Sequence, residues 1–239
     1  SRDFALGMHI PKRWDKILNI DECHLMPEIG TKILNETQKL AKELNLKPYD
    51  QKTHNGYLRY LQMRFGHFTN EILVNLVTSY ENPDLLKPLV DGLIKKFPQI
   101  STIVNNIISR KADVAFGEYE TLLYGKPSIK EKLGDLTFEV SANSFFQTNT
   151  VQGEKLYQEI EEALNLKGDE ILYDLYCGTG TIGLYLSRKA KKIYGFEVIR
   201  SALDDAEKNA VRNDISNIVF VKANLDTFFK TGQLPRKVP

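Results

Sequence analysis

Ile171-Leu172-Tyr173-Asp174-Leu175-Tyr176-Cys177-Gly178-Thr179-Gly180-Thr181 is the stretch on which the fold turns. An apolar run that ends in a carboxylate and passes into a glycine-rich turn has the form of a first strand and loop in a nucleotide-cofactor α/β fold. Gly178 and Gly180 let the backbone turn tightly and approach a ligand with no Cβ in the way. The carboxylate restricts that ligand. A dinucleotide rests its pyrophosphate on this turn and the next helix N-terminus, where an ionised Asp174 repels it. S-adenosylmethionine has no phosphate, and its sulfonium and ammonium groups are attracted by the same charge. Gly178-Thr179-Gly180-Thr181-Ile182-Gly183 also satisfies the dinucleotide glycine pattern, so an NAD-dependent oxidoreductase stays open as an alternative.

Downstream, helix and strand alternate. The pattern predicts a helix over 181–189, a strand over 192–196 ending at Glu197, a helix over 201–213 and a strand over 218–221. Strand–helix–strand–helix–strand at this spacing is a doubly wound parallel sheet of Rossmann-like type. Glu197 falls about 20 residues past the turn, where an acid hydrogen-bonds a ribose diol. Asn224, after the third strand, suits hydrogen bonds to an adenine edge. All of these lie at C-terminal strand ends, where open α/β sheets bind ligands.

Upstream the character differs. Ile33, Leu34, Thr37, Leu40, Ala41 and Leu44 share one face of a helix over 31–46. Two runs at 57–65 and 71–79 predict a hairpin around Gly66-His67 and Asn70, followed by a helix over 83–97. Strand-like runs at 103–108, 120–124 and 137–140 complete an α+β pattern with an antiparallel sheet. A helix over 152–164 then follows, capped by Asn149 or Thr150. The expected division is an α+β domain over 1–135 and the first half of an α/β cofactor domain over 136–239.

Three parallel strands are predicted, and the first belongs in the middle of a larger sheet, so one of its edges lacks a partner in the sequence. The chain opens on Ser1 and closes on Leu234-Pro235-Arg236-Lys237-Val238-Pro239. The expectation is a fragment of a longer protein.

Composition sets the wider limits. With 239 residues, 42% apolar and 26% charged, the chain matches a globular protein of two modest domains. It has no apolar run near the ~20 residues that cross a bilayer, and no secretory leader. The cytoplasm is the expected compartment. Cys23 and Cys177 are far apart, which argues against a disulfide framework. Net charge is +1, evenly spread, so any nucleic-acid contact rests on local patches such as Arg110-Lys111 or Arg188-Lys189 with Lys191-Lys192.

Phe138-Glu139-Val140-Ser141-Ala142-Asn143-Ser144-Phe145-Phe146-Gln147-Thr148-Asn149, with Asp174–Gly180 and Gly195-Phe196-Glu197, resembles the RNA uracil-C5 methyltransferases of the RumA/TrmA family. The resemblance is specific over about 116–226 and looser before that. It implies that Gln147 contacts the methionine end of S-adenosylmethionine and that Tyr176 lines the pocket. Thr181 and Glu197 would bind methionine and ribose groups, and Asn224 the adenine. Phe145, with Asn149 beside it, takes the substrate side, near an unstacked target base. Phe146 is expected in the core.

The family's chemistry is implied in the same way. A cysteine thiolate attacks C6 of uracil, C5 takes the methyl group, and a general base removes the C5 proton. The nucleophile and base follow the third strand in this family, so no catalytic residue is expected in this chain and the chain alone is expected to be inactive. Cys177 is expected to be a packing residue of the turn. Cys23, in Asp21-Glu22-Cys23-His24-Leu25, resembles the fourth ligand of a [4Fe–4S] cluster in the ribosomal-RNA branch. It tilts the expected substrate from tRNA to 23S rRNA. RNA is the expected partner, and the intact protein is expected to be a monomer. A non-catalytic RNA- or S-adenosylmethionine-binding module is a further alternative.

Overall fold

The computed structural model describes residues 4–111 and 117–231; Ser1 and the closing run 234–239 lie outside them. Two compact units emerge, Ser1–Phe65 with Asn70–Ile129 and Gly66–Thr69 with Lys130–Pro239. The second unit therefore begins at Lys130 and also takes in four residues between the strands of the predicted hairpin.

The first unit opens with an antiparallel ribbon, β1 (Gly7–Ile10) and β2 (Arg13–Asn19), which the sequence pattern did not reveal. Helix α1 (Glu28–Glu43) follows, then β3 (Leu58–Phe65), β4 (Ile72–Thr78), α2 (Pro83–Lys96), β5 (Ile100–Ile107) and β6 (Tyr119–Gly125). The sheet order is β3-β4-β5-β6. The expected antiparallel pairing is present in β3–β4 and β5–β6, while β4 and β5 run parallel, so the sheet is mixed. Helix α2 lies between them in the chain, and a strand–helix–strand crossover returns the second strand in the same direction. Asn82 starts that helix, its Oδ1 accepting from the Leu85 N–H, with Pro83 at the first helical position.

Every residue of β4 is buried. Ile72, Val74 and Leu76 pack with Ile33 and Ala41 of α1 and with Leu86, Leu89 and Leu93 of α2. Asn75 points to the opposite face, since side chains alternate along a strand. There a row of polar groups crosses all four strands. Asn75 Nδ2 donates to Gln62 Oε1 at 2.7 Å, and Asn106 Nδ2 donates to Asn75 Oδ1 at 3.1 Å and to Glu120 Oε2 at 3.0 Å.

The second unit takes in β7 (Ser128–Leu133) from Lys130 onward and its partner β8 (Leu136–Ser141); β7 was not predicted. Then come α3 (Thr150–Leu164), β9 (Ile171–Leu175), α4 (Thr181–Leu186) with a 3-10 turn at Ser187–Lys189, β10 (Lys192–Glu197), α5 (Arg200–Arg212), β11 (Ile218–Lys222) and α6 (Leu225–Thr231). The last three strands form the expected parallel sheet in the order β11-β10-β9. Strand β9 stands at an edge, with Ile171, Tyr173 and Leu175 exposed.

Helix α5 also secures β8. Asn213 Oδ1 accepts from the Thr137 N–H and its Nδ2 donates to the Thr137 carbonyl, both at 2.8 Å. One turn earlier, Asn209 Oδ1 accepts from the Glu139 N–H at 2.8 Å. Two side-chain amides thus satisfy edge groups that a neighbouring strand would otherwise meet.

Candidate functional site

The glycine turn is built by the ends of two adjacent strands. β9 carries Asp174 in register with Gly195 of β10, and the Cys177 N–H donates to the Phe196 carbonyl at 2.9 Å. Tyr176, Gly178 and Gly180 all have positive φ, at 61°, 55° and 74°. For the two glycines this costs little; for Tyr176 it costs on the order of 1–2 kcal/mol, and its ring is left exposed on the turn. A Cβ at Gly180 would come within 2.7 Å of the Phe220 ring, whereas one at Gly178 would meet nothing within 4 Å. Gly180 is therefore required by packing, and Gly178 borders open space.

Two carboxylates frame that space. Asp174 Oδ2 accepts from the Gly183 N–H of α4 at 3.0 Å, and among the described residues Oδ1 has no donor. Burial pushes its carboxyl up to about 6, partly offset by the Gly183 bond. Glu197 Oε2 accepts from the Gly178 N–H at 3.1 Å, and Oε1 from the Val198 and Ile199 N–H groups at 2.7 and 2.9 Å. The last residue of β10 thus holds both the glycine turn and the entry to α5. Burial, with Asp174 and Glu197 adding to it, raises the Cys177 thiol well above its usual range. Two carboxylates thus lie beside an open turn, an arrangement suited to a cationic ligand.

The segment before α3 joins this turn. Thr179 Oγ1 donates to the Phe145 carbonyl at 3.0 Å. Phe145 itself is 68% exposed, while Phe146 is buried, its ring centroid 5.6 Å from that of Phe138. Thr181 Oγ1 and the Tyr157 hydroxyl are 2.9 Å apart, and the half-buried Gln147 lies close to that phenol. Tyr157 and Thr181 therefore form a polar pair close to Asp174. Ser144 Oγ donates to Asp205 Oδ2 of α5 at 2.7 Å, which anchors the turn leading to Phe145.

Two residues assigned to ligands have structural partners. Asn149 caps α3, its Oδ1 accepting from the Gln152 N–H at 3.1 Å. Asn224 Oδ1 accepts from the Thr227 N–H at 3.3 Å, at the start of α6. Cys23 is a half-exposed free thiol, and no group of His, Cys, Asp or Glu able to hold a metal ion occurs among the described residues. A [4Fe–4S] cluster takes four thiolates and the chain has two cysteines, so the residues present do not fit one. Of the basic patches, Arg188 pairs with Asp135 at 3.0 Å and Lys189 with Glu161 at 3.3 Å. That patch precedes β10, at the end of the sheet opposite the turn.

Tyr157, Thr179, Ser144, Asp205 and the α5 asparagines were not picked out from sequence. The one available signal was Asn209 and Asn213, polar residues four apart on the helix face that also carries Ala206 and Ala210.

Comparison with known proteins bears on this geometry. A family model described as tRNA (uracil-5-)-methyltransferase matches residues 62–237. An uncharacterized RNA methyltransferase of Chlorobaculum tepidum is 45% identical over 228 residues, 95% of this chain and 47% of that protein. One from Oceanobacillus iheyensis is 39% identical over 210 residues, 87% of this chain and 46% of its own. Among solved structures, the Pyrococcus abyssi tRNA (uracil-54, C5)-methyltransferase in complex with S-adenosyl-L-homocysteine is similar with a TM-score of 0.73 at 30% identity, over 88% of this chain and 50% of that one. The chain spans about half the length of the curated relatives it matches.

Proposed function

Since the chain belongs to the tRNA (uracil-5-)-methyltransferase family, we propose that it is the cofactor-binding half of an enzyme that methylates C5 of a uridine in RNA. The observation that carries this is the pair of carboxylates, Asp174 and Glu197, around the open side of the Gly178 turn. The pair fits S-adenosylmethionine, which supplies an electrophilic methyl group on a sulfonium. Asp174 Oδ1 faces the ammonium end, and Glu197, already fixed by three backbone N–H groups, accepts from the ribose diol. Gln147, with Thr181 held by Tyr157, meets the methionine end. Asn224 reaches the adenine with its Nδ2, its Oδ1 serving the helix cap. Tyr176 covers the pocket, and Phe145 stands on the substrate side with Asn149 setting the start of α3 behind it.

Cys177 is unsuited to attack C6 of uracil, because it is buried and its thiol is held protonated. The nucleophile and the general base are assigned to the rest of the whole protein, so residues 1–239 bind without turning over. Free thiols at Cys23 and Cys177 suit a cytoplasmic setting. Among the described residues no helix is long and apolar enough to cross a membrane.

Calorimetric titration with S-adenosylmethionine, S-adenosylhomocysteine and NADH tests the proposal. The two sulfur compounds are expected to bind and NADH is not; a preference for NADH would instead support the oxidoreductase. Methyl transfer to RNA by the chain alone would overturn the assignment of the nucleophile elsewhere. In competition binding, a 23S rRNA hairpin is expected to outcompete a tRNA, as the Cys23 resemblance suggests, and the reverse order would assign the tRNA branch.

A further inference from the structure

Glu131 on β7 is the one fully buried carboxylate among the described residues, 2% exposed. Oε2 accepts from the His67 N–H at 2.6 Å and from Thr150 Oγ1 at 2.9 Å, and Oε1 accepts from the Phe68 and Lys132 N–H groups at 3.1 and 2.8 Å. Thr69 Oγ1 adds a bond to the Lys130 carbonyl at 2.5 Å. A carboxylate out of water is costly unless donors meet it, and here four do. What they secure is the tip 66–69 between β3 and β4, together with the first residue of α3.

The tip's outward face is then limited by chemistry. The His67 and Phe68 amides are already donated, so neither is available to a phosphate. What remains is the Phe68 ring, 48% exposed, with the His67 ring edge-on at a centroid distance of 4.7 Å. Lys130 and Lys132, exposed on either side of Glu131, project from the other face of β7, since side chains alternate along a strand. A ring on a fixed backbone loses little freedom when a flat group stacks on it. Thr150 lies five residues past Phe145, so the same carboxylate links the tip to the segment assigned to the target base.

We propose that the Gly66–Thr69 tip is a preorganised RNA contact, with Phe68 stacking on an unpaired base. Glu131 is its positioning residue. The inference rests on the RNA substrate proposed above and extends it to a second aromatic contact outside the cofactor turn.

The test is fluorescence anisotropy of the full chain with a labelled, uridine-containing RNA stem-loop across a salt series. Phe68→Ala is expected to weaken binding about tenfold at every salt concentration, leaving the salt slope unchanged, because stacking releases no counterions. Phe68→Tyr restores affinity. Glu131→Gln puts an NH2 donor where an acceptor is needed, so RNA affinity falls and the His67 and Phe68 amide resonances move. S-adenosylmethionine affinity and Tm are expected to stay at wild-type values in Phe68→Ala. If that variant binds RNA as tightly as wild type, the inference fails and the RNA assignment stands. If the wild-type chain has no RNA affinity, the RNA assignment fails and takes the inference with it.

Discussion

The two sheets of this molecule treat polar groups in opposite ways. In the first unit the row from Gln62 through Asn75 and Asn106 to Glu120 is closed on itself, each amide meeting a partner on the next strand. In the second unit the polar residues sit at the ends of β9 and β10, and Asp174 keeps one oxygen without a donor among the described residues. A buried polar group whose bonds are all internal fixes register and rigidity. One held on a single side, at a C-terminal strand end, is positioned for a ligand. The contrast separates architecture from machinery without reference to any relative.

Three experiments break or sharpen that contrast. Asp174→Asn is expected to weaken S-adenosylmethionine binding about a hundredfold at neutral pH, on the order of 2–3 kcal/mol for a lost charge-assisted contact. Calorimetry checks it, and an unchanged affinity would remove Asp174 from the site. Asn106→Ala is expected to cost about 2 kcal/mol of stability in denaturant unfolding, since Asn75 and Glu120 each lose a donor. Cofactor affinity is expected not to move, and a fall there would mean that the closed row is not purely architectural.

The smallest effect is the pH dependence of Asp174. Its carboxyl is raised from 3.8 to about 6 in the folded chain. The folded state therefore holds the proton more tightly, and the associated stability, full below about pH 4, is lost as pH rises through about 6. Binding of a cation runs the other way, because only the ionised form attracts it. Affinity is expected to fall up to about tenfold between pH 7 and pH 5, and to be flat over this range in Asp174→Asn. A wild-type profile as flat as the variant's would show that this carboxylate does not titrate against the ligand.

Much of the second unit was legible because its signals are local. The apolar run, the carboxylate and the two glycines lie within one turn of chain, and the N-cap of α3 was read from Asn149 and its neighbours. The first unit was less so. Its helices and four strands were visible, but the parallel pairing of β4 and β5 was not, and the β1–β2 ribbon, whose Met8 and Leu18 are exposed, left no alternating pattern. Glu131 was illegible for another reason. On β7 it stands between Lys130 and Lys132, which in sequence is a solvated charge run, and only the fold turns it inward.

By itself, the sequence determined what depends on neighbours along the chain: periodicity, caps, the glycine turn and a carboxylate placed to repel phosphate. The tertiary structure alone decided which polar residues have partners. Asn209 and Glu139 are 70 positions apart, and Glu131 and His67 are 64. A hydrogen bond is satisfied by whatever group the fold brings within about 3 Å. That distance is set by packing of whole elements, and no local pattern of residues encodes it.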